Sequence, residues 1–372
     1  MTKQRVFVTA DIGEEAVARL KQHGYEIEIH PGLEPPARSL ILAKVREGIS
    51  AMITTLRDQI DDEVLAAGAG HLKVVAQVAV GLDNIDRAAA SRYRIPVTNT
   101  ADVLTEATAE FALFMMGAVS RKLYSSEKLV EENRWSFWHP YLPFLGDEVT
   151  GKTVAVIGCG RIGKAFARKC IGLDMDLLLY SPRTRDERFI EFANRELQLR
   201  YDAGFSRRSH TAGYVSFEEA LSGGDYVSLH VPLIQPGKSE TPTYHLMNAA
   251  AFQRMKPTAY LINTSRGPVV DEQALHEALV QNRIAGAALD VFEKEPLPAD
   301  SPLRDERLKD RLRMFHHFAS GTRETRLSPY PDIGMAGRAV QGVIDVLEAR
   351  YEGNPALMPF VVNKEAWSEK KE

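Results

Sequence analysis

The feature that most constrains the fold of this chain is a glycine pattern that directly follows an apolar run. Residues 153–157 read Thr-Val-Ala-Val-Ile, which is typical of a buried parallel strand. Gly158, Gly160 and Gly163 come next, with the spacing Gly-x-Gly-x-x-Gly, at the start of an amphipathic stretch. A first glycine permits a tight turn, a second lets a phosphate approach the backbone, and a third lets helix and strand pack closely. The pattern predicts a dinucleotide-binding strand–turn–helix unit; the alternative is an ordinary glycine-rich turn.

Short apolar runs alternate with amphipathic stretches along almost the whole chain. Residues 6–9, 51–54 and 74–77 are strand-like before the glycine pattern, and residues 226–229 and 259–262 are strand-like after it. This alternation is typical of parallel strands joined by crossover helices. With 372 residues the chain is long for one hydrophobic core and suits two. We predict an α/β fold of two Rossmann-like, doubly wound domains with parallel sheets.

Composition argues against several classes of function. The net charge of -4 disfavours a nucleic-acid or membrane-surface role, because both need clustered basic residues. The two cysteines, Cys159 and Cys170, cannot form a disulfide framework, and nothing in the sequence calls for a metal. The first residues lack the apolar stretch of a signal peptide. A helix is predicted from about residue 104 to 123, in which Phe111, Phe114, Met115 and Val119 fall at core-facing spacing. Its most apolar part, near residues 109–119, is too short to span a bilayer. We predict a cytoplasmic enzyme.

The next predicted strand, residues 177–180, should end beside the adenosine ribose of a bound dinucleotide. NAD enzymes normally place Asp or Glu there to bind the ribose hydroxyls. This chain has Ser181 instead, followed by Arg183, Thr184 and Arg185. No carboxylate would repel a 2′-phosphate, and two guanidinium groups lie within reach of one. The segment favours NADP(H), with NAD(H) possible; the alternative is an exposed loop whose arginines face solvent.

Three charged residues suit hydride transfer at a carbon next to a carboxylate. Such chemistry needs a cation for the carboxylate and carbonyl, an acid/base for the carbonyl oxygen, and a carboxylate behind that acid/base if it is histidine. Arg266 and Glu295 follow predicted strands, and His317 lies further along the chain. Each has an ordinary structural explanation, as an ion-paired arginine, a loop carboxylate or a packed histidine. Spacing alone does not decide between these explanations.

Several ordered motifs resemble the D-isomer-specific 2-hydroxyacid dehydrogenases over nearly the whole chain. They are Val-Gly-Leu-Asp-Asn-Ile-Asp at 80–86, the glycine pattern at 158–163, Asn-Thr-Ser-Arg-Gly-Pro-Val-Val-Asp at 263–271, Ala-Leu-Asp-Val-Phe-Glu-Lys-Glu-Pro at 288–296 and His-Phe-Ala-Ser-Gly-Thr at 317–322. Several such motifs in order are far more specific than any one of them. The resemblance implies that the active site lies in the cleft between the two domains.

The resemblance also implies a role for each charged residue. Arg266 would bind the substrate carboxylate and polarise the carbonyl, His317 would exchange the proton, and Glu295 would orient His317. Asp290 would contact the carboxamide side of the nicotinamide. The substrate-binding residues predicted in this way are Val80, Gly81 and Arg266, with backbone amides around the first two receiving the carboxylate. The predicted cofactor-binding residues are Gly158, Gly160, Arg161, Ile162, Gly163, Ser181, Arg183, Thr184, Thr264 and Asp290.

The similarity is nearest to the glyoxylate/hydroxypyruvate reductase branch. It implies a substrate domain at residues 1–103 and 319–372, a dinucleotide-binding domain at 104–318, and a homodimer. The expected activity is hydride transfer between NAD(P)H and C2 of a small 2-keto acid. Phosphoglycerate dehydrogenase-type activity, a nucleotide-sensing corepressor-like binding protein, and oxidation of formate or phosphite are the alternatives.

Three departures from the family pattern are visible. His316 stands where the family usually has proline, but the residues that follow favour His317 as the acid/base. Residues 186–215 are longer and richer in arginine than is usual, which predicts a solvated surface insertion. Trp135 and Trp138 precede the nucleotide strand, where the reductase branch can send an aromatic residue to a neighbouring subunit; core or dimer packing is the alternative.

Overall fold

The computed structural model describes residues 3–141 and 145–368. The chain divides into two compact units: residues up to Leu104 together with those from Gly321 onward, and Thr105–Ser320. The predicted fold class is confirmed, because both units contain a sheet whose paired strands all run parallel. Assignment of a substrate domain and a dinucleotide-binding domain, with boundaries after residues 103 and 318, stays a prediction.

Helices and strands alternate in both halves of the chain. In chain order they begin with β1 (Arg5–Val8), α1 (Glu14–Gln22), β2 (Glu26–Ile29), α2 (Arg38–Arg46), β3 (Ala51–Thr54), α3 (Asp62–Ala67), β4 (Val74–Gln77), α4 (Arg87–Arg92), β5 (Val97–Thr98), α5 (Thr105–Ser120) and α6 (Leu123–Glu131). They continue with β6 (Thr153–Ile157), α7 (Arg161–Ile171), β7 (Asp176–Tyr180), α8 (Glu187–Asp202), β8 (Ala212–Tyr214), α9 (Phe217–Gly223), β9 (Tyr226–Leu229), α10 (Ala249–Arg254), β10 (Tyr260–Asn263), α11 (Glu272–Val280), β11 (Gly286–Leu289), β12 (Leu312–Met314), α12 (Arg323–Leu327) and α13 (Met335–Leu347).

The first unit is a five-stranded parallel sheet with helices on both faces. Its strand order is β2-β1-β3-β4-β5. Because successive side chains of a strand point to opposite faces, Val6 and Val8 of β1 pack towards α1 and α13, whereas Phe7 packs towards α2 and α3. Burial on both faces explains why these strands are continuous apolar runs.

The second unit is a seven-stranded parallel sheet with strand order β12-β11-β10-β9-β6-β7-β8. The buried residues of α9, α10 and α11 cover one face, and those of α5, α7 and α8 cover the other. The order along the sheet reverses at β6, which pairs with β7 on one side and with β9 on the other. Open α/β sheets bind ligands at the carboxyl ends of their strands beside such a reversal. The glycine pattern follows β6 at this position.

Several helices begin at residues whose side chains cap the free N–H groups of the first turn. Asp61 accepts a hydrogen bond from Val64 at the start of α3, and Asp86 begins α4 in the same way. Ser216 and Glu219 form a reciprocal capping box at the start of α9. Such caps stabilise a helix end by about 1 kcal/mol each.

Two sequence expectations differ from the structure. A single helix was expected over residues 104–123, but α5 ends at Ser120 and Lys122 adopts a left-handed backbone (φ 53°) that separates it from α6. Residues 186–215 are not simply a solvated insertion, because they form α8 and the edge strand β8. The buried side chains of Ala193 and Leu197 attach α8 to the sheet.

None of the helices in the described part of the chain has both the length and the apolar character needed to cross a bilayer.

Candidate active site

The glycine pattern forms a turn in which each glycine meets a different steric condition. Gly158 has a φ of 101°, and a Cβ there would lie 2.7 Å from the backbone of His230. A Cβ at Gly163 would lie 2.0 Å from the carbonyl oxygen of Gly158, so α7 and β6 touch. Around Gly160, by contrast, a Cβ would meet nothing within 4 Å. The turn thus leaves open space at the position where a dinucleotide phosphate would approach the backbone.

His230 is a support of this turn that sequence reasoning missed. It follows β9, its N–H donates to the carbonyl of Ile157, and its ring lies 2.9 Å from the Ser228 hydroxyl and packs on Phe166. Burial lowers the pKa of His230 to about 3, so the ring is neutral at physiological pH. A neutral, half-buried histidine behind a glycine turn is a packing element, and no sequence pattern distinguishes it from an acid/base.

Glu295 and His317 form a hydrogen-bonded pair. Nδ1 of His317 lies 2.8 Å from Oε2 of Glu295, while Oε1 of Glu295 accepts the N–H of Phe292 at 3.1 Å. Burial alone would raise the pKa of Glu295, but the hydrogen bond and charge of His317, the Phe292 N–H and the charge of Arg266 together hold it below its usual range. The contact with Glu295 fixes the orientation of the His317 ring.

The loop after β10 holds Arg266 close to the loop that carries Glu295. Asn263, fully buried, donates to the carbonyl of Arg266 at 3.0 Å and accepts from the N–H and hydroxyl of Ser265. A Cβ at Gly267 would lie 1.8 Å from the backbone of Phe292, so the two loops are in direct contact and only glycine fits. Asn263 and Gly267 are functional positions whose roles here appear only in three dimensions.

Asp290, directly after β11, is fully buried and faces the backbone around His317. Its Oδ1 accepts the N–H of Phe318 at 2.6 Å, and its Oδ2 accepts the N–H of Ala319 at 2.9 Å. Its carbonyl oxygen accepts the N–H of His317 at 2.8 Å. Burial raises the pKa of the Asp290 carboxyl, although these two N–H groups and the charge of His317 act in the opposite direction.

Comparison with known proteins shows the family of this chain. The family model for the NAD-binding domain of D-isomer specific 2-hydroxyacid dehydrogenases matches residues 113–318. A glyoxylate reductase of Korarchaeum cryptofilum is 40% identical over 326 residues, which are 87% of this chain and 89% of that protein. The chain belongs to the D-isomer specific 2-hydroxyacid dehydrogenase family. A glyoxylate reductase of Thermofilum pendens is 37% identical over 98% of this chain and 96% of its own.

Solved structures of similar proteins cover both units. The TT0316 protein of Thermus thermophilus is 36% identical, with a TM-score of 0.78, over 93% of this chain and 98% of its own. The NADPH-dependent glyoxylate/hydroxypyruvate reductase SmGhrB of Sinorhizobium meliloti is 26% identical, with a TM-score of 0.72, over 97% and 99%. The predicted family is confirmed, and the protein is an oxidoreductase that uses a nicotinamide cofactor.

Thr264 and the glycine turn fit such a cofactor. The hydroxyl of Thr264, at the carboxyl end of β10, is buried and has no hydrogen-bond partner among the described residues. Gly160 leaves open space at the first turn of α7, whose N-terminal N–H groups attract phosphate. Arg161 and Ile162 are the first residues of α7. Their contacts with a cofactor stay predictions.

The segment after β7 carries two arginines, and its first carboxylate already pairs with a lysine. Arg183 is exposed and donates to the Ser239 hydroxyl at 2.7 Å, and the Arg185 guanidinium stacks over the ring of Tyr214 at 5.6 Å. Asp186 is the first carboxylate after the strand, but it accepts from Lys164 at 2.6 Å and caps α8. The hydrogen bond to Lys164 holds the pKa of Asp186 below its usual range. Ser181 is half-buried and Thr184 is exposed.

Of the two neighbouring histidines, His317 is the one that contacts Glu295. His316 is exposed, and its ring stacks on Phe318 at 5.1 Å.

The predicted substrate-binding residues of the first unit lie beyond the carboxyl end of β4. The carbonyls of Val80 and Gly81 accept hydrogen bonds from Asn99 and Gln77. A role of their amides in binding substrate stays a prediction.

Proposed function

We propose that this protein transfers hydride between a nicotinamide cofactor and C2 of a small D-2-hydroxyacid or 2-keto acid, with glyoxylate or hydroxypyruvate reduced. The observation that carries the proposal is the 2.8 Å contact between His317 and Glu295 beside the loop of Arg266. The names of the curated relatives and of the Sinorhizobium reductase support the choice of substrate.

In the reducing direction a nicotinamide held beside Thr264 and the glycine turn would supply a hydride to C2 of the keto acid. Nδ1 of His317 faces Glu295, so proton exchange with the keto oxygen uses the other ring nitrogen, Nε2. The hydride would form a new C–H bond at C2, the electron pair of the C=O π bond would move to oxygen, and that oxygen would take its proton from the imidazolium of His317. Arg266 stabilises the negative charge that develops on oxygen, and backbone amides around Val80 and Gly81 are the proposed partners of the substrate carboxylate.

NADP(H) is the proposed cofactor, with NAD(H) as a weaker one. The exposed arginines after β7 and the engagement of Asp186 with Lys164 support this preference. Replacing Arg183 with alanine removes a cation that can pair with the 2′-phosphate. We expect kcat/KM for NADPH to fall about tenfold or more, while kcat/KM for NADH stays within about twofold. Equal loss with both cofactors would contradict the preference.

A homodimer is the proposed assembly, with α5 and α6 at its interface. Large apolar side chains of this region are exposed in the single chain: Phe114 at 58%, Leu123 at 55%, Val130 at 62%, Trp135 at 66% and Trp138 at 83%. Monomeric proteins rarely expose so many large apolar groups together, and such patches mark interfaces. Sedimentation of the wild-type protein and of Val130→Lys tests the proposal, since a dimer should dissociate in the variant.

The test of the activity follows absorbance of the reduced nicotinamide with NADPH and NADH in parallel. Glyoxylate, hydroxypyruvate, pyruvate and phosphohydroxypyruvate are the substrates. His317→Ala should lower kcat by about 10²- to 10⁴-fold, the usual contribution of a general acid. His316→Ala is the matched control, because the neighbouring ring is exposed and stacks on Phe318 instead of meeting Glu295.

Turnover that is lost in His317→Ala and kept in His316→Ala would establish the acid/base and the chemistry together. Binding of NADPH without turnover of any of these acids would refute the proposed activity. It would favour the alternative in which the protein senses the nucleotide.

A further inference from the structure

Asp290 makes an unusual set of contacts with the segment that carries His317. Three successive backbone N–H groups, those of His317, Phe318 and Ala319, each donate to this one residue: the first to its carbonyl oxygen, the others to its two carboxylate oxygens. The distances are 2.8, 2.6 and 2.9 Å. The segment after β12 is thereby fastened to the carboxyl end of β11 at three consecutive points.

His317 needs such a fastening because its backbone is left-handed, with a φ of 57°. This region is unfavourable for a residue with a side chain, and it persists only where the surroundings hold it. The side-chain direction of His317 follows from that backbone conformation. A shift of the turn would move Nδ1 away from Glu295, with which it makes its 2.8 Å contact.

Glu295 supports the ring of His317, and Asp290 supports the backbone of the segment that carries it. Glu295 contacts the ring nitrogen and is itself held by the N–H of Phe292. Asp290 contacts the backbone N–H groups of residues 317–319. Its side chain is fully buried, whereas the side chains of His317 and Glu295 are 29% and 27% exposed. Asp290 is therefore more deeply buried than the pair, and its contacts are with the backbone of the segment that carries His317.

We propose that Asp290 is a positioning residue for His317, which holds the left-handed turn through its two carboxylate oxygens, and that this role sets kcat more than cofactor affinity. The inference rests on the proposed function, in which His317 exchanges the proton. It differs from the role implied by family resemblance, in which Asp290 contacts the nicotinamide carboxamide. The two roles predict different kinetic defects in the same variant.

The test is Asp290→Asn, which keeps the size of the side chain but replaces one acceptor oxygen with an NH₂ group. One backbone N–H then faces a donor instead of an acceptor. We expect kcat to fall about 10- to 100-fold, as for a misplaced catalytic group. The Kd for NADPH, measured by fluorescence without substrate, should stay within about twofold. Hydrogen exchange of the peptide that contains residues 317–319 should become faster, with no change at residues 158–163.

Asp225→Asn is the matched control. Asp225 accepts a backbone N–H from Thr153 at 2.9 Å and an ammonium from Lys256 at 2.8 Å, so both of its oxygens are also engaged. It precedes β9, at the amino ends of the strands, whereas Asp290 follows β11 at their carboxyl ends. The control should keep kcat within about twofold of the wild type.

Two results in the variant would overturn the inference: kcat within twofold of the wild type, or a Kd for NADPH raised more than tenfold, which would assign the carboxylate to the cofactor. If the variant does not fold, amide hydrogen exchange in the wild-type protein tests the inference instead. The amides of residues 317–319 should exchange as slowly as those of β11, and exchange as fast as in exposed loops would contradict the fastening. An inactive wild-type protein would refute the proposed function, while the exchange data would still report on the turn.

Discussion

Replacing Glu295 with glutamine tests how strongly one negative charge controls the acid/base chemistry of His317. Glutamine keeps an oxygen that can accept the N–H of Phe292, so the loop keeps its anchor. It removes the charge that lies 2.8 Å from Nδ1 of His317. The pKa of Glu295 lies below its usual range, since the effects of His317, Phe292 and Arg266 outweigh burial, so the charge lost is present across the assay range.

The size of the effect follows from the geometry. Glutamine keeps the Phe292 contact through its oxygen, so the group left to face Nδ1 of His317 is an NH₂ donor instead of a carboxylate oxygen. The ring then loses the acceptor that orients it, and a misplaced catalytic group costs about 10²-fold in rate. We expect kcat for glyoxylate reduction to fall about 10- to 100-fold, while KM for NADPH stays within about twofold.

The assay is kcat for glyoxylate reduction with saturating NADPH between pH 5 and about 9. The matched control is Glu293→Gln, because Glu293 lies on the same loop and accepts the N–H of Glu272 at 3.0 Å. The Glu295 variant should show a kcat lowered by about 10- to 100-fold, whereas the control stays within about twofold of the wild type. A kcat of the Glu295 variant within about twofold of the wild type would refute the reasoning.

Three further predictions concern packing around the site. Gly267→Ala places a methyl group against the backbone of Phe292 and should lower the free energy of unfolding in urea by about 1–3 kcal/mol. An unchanged urea midpoint of unfolding would show that the two loops can move apart at no cost in stability. Asn263→Ala frees the Arg266 loop and should raise KM for glyoxylate about tenfold, with NADPH binding unchanged as the control measurement. Phe166→Ala removes a fully buried ring and should cost about 3–5 kcal/mol of stability by denaturant titration; a loss below about 1 kcal/mol would contradict its place in the core.

The fold class and the family were predictable from sequence because their signals are local. Continuous apolar runs identify strands buried on both faces, and the glycines of residues 158–163 have steric roles that depend on neighbours a few residues away. The pairing of Glu295 with His317 was expected only from family resemblance. The roles of individual residues towards substrate and cofactor stay predictions.

Other features were missed because they depend on three-dimensional placement. Phe114 falls at core-facing spacing, yet it is 58% exposed, since α5 is apolar on more than one side and periodicity cannot separate a core face from an interface face. Residues 186–215 are so highly charged that the sequence did not indicate the buried contacts of Ala193 and Leu197, which attach α8 to the sheet. Nothing in the sequence around Asp290 shows that its carboxylate would meet the N–H groups of Phe318 and Ala319.

Helix α13 has a consequence for the order in which the protein can be made. Residues up to Leu104 leave the ribosome first, but the face of their sheet that carries Val6, Val8 and Ile53 is covered in part by α13, which is synthesised after the whole of Thr105–Ser320. The second unit is continuous in sequence and can fold as its last strand emerges, whereas the first must wait. Until α13 arrives, the unit that was begun first presents an uncovered apolar sheet face, and that nascent face is where a chaperone would be expected to act.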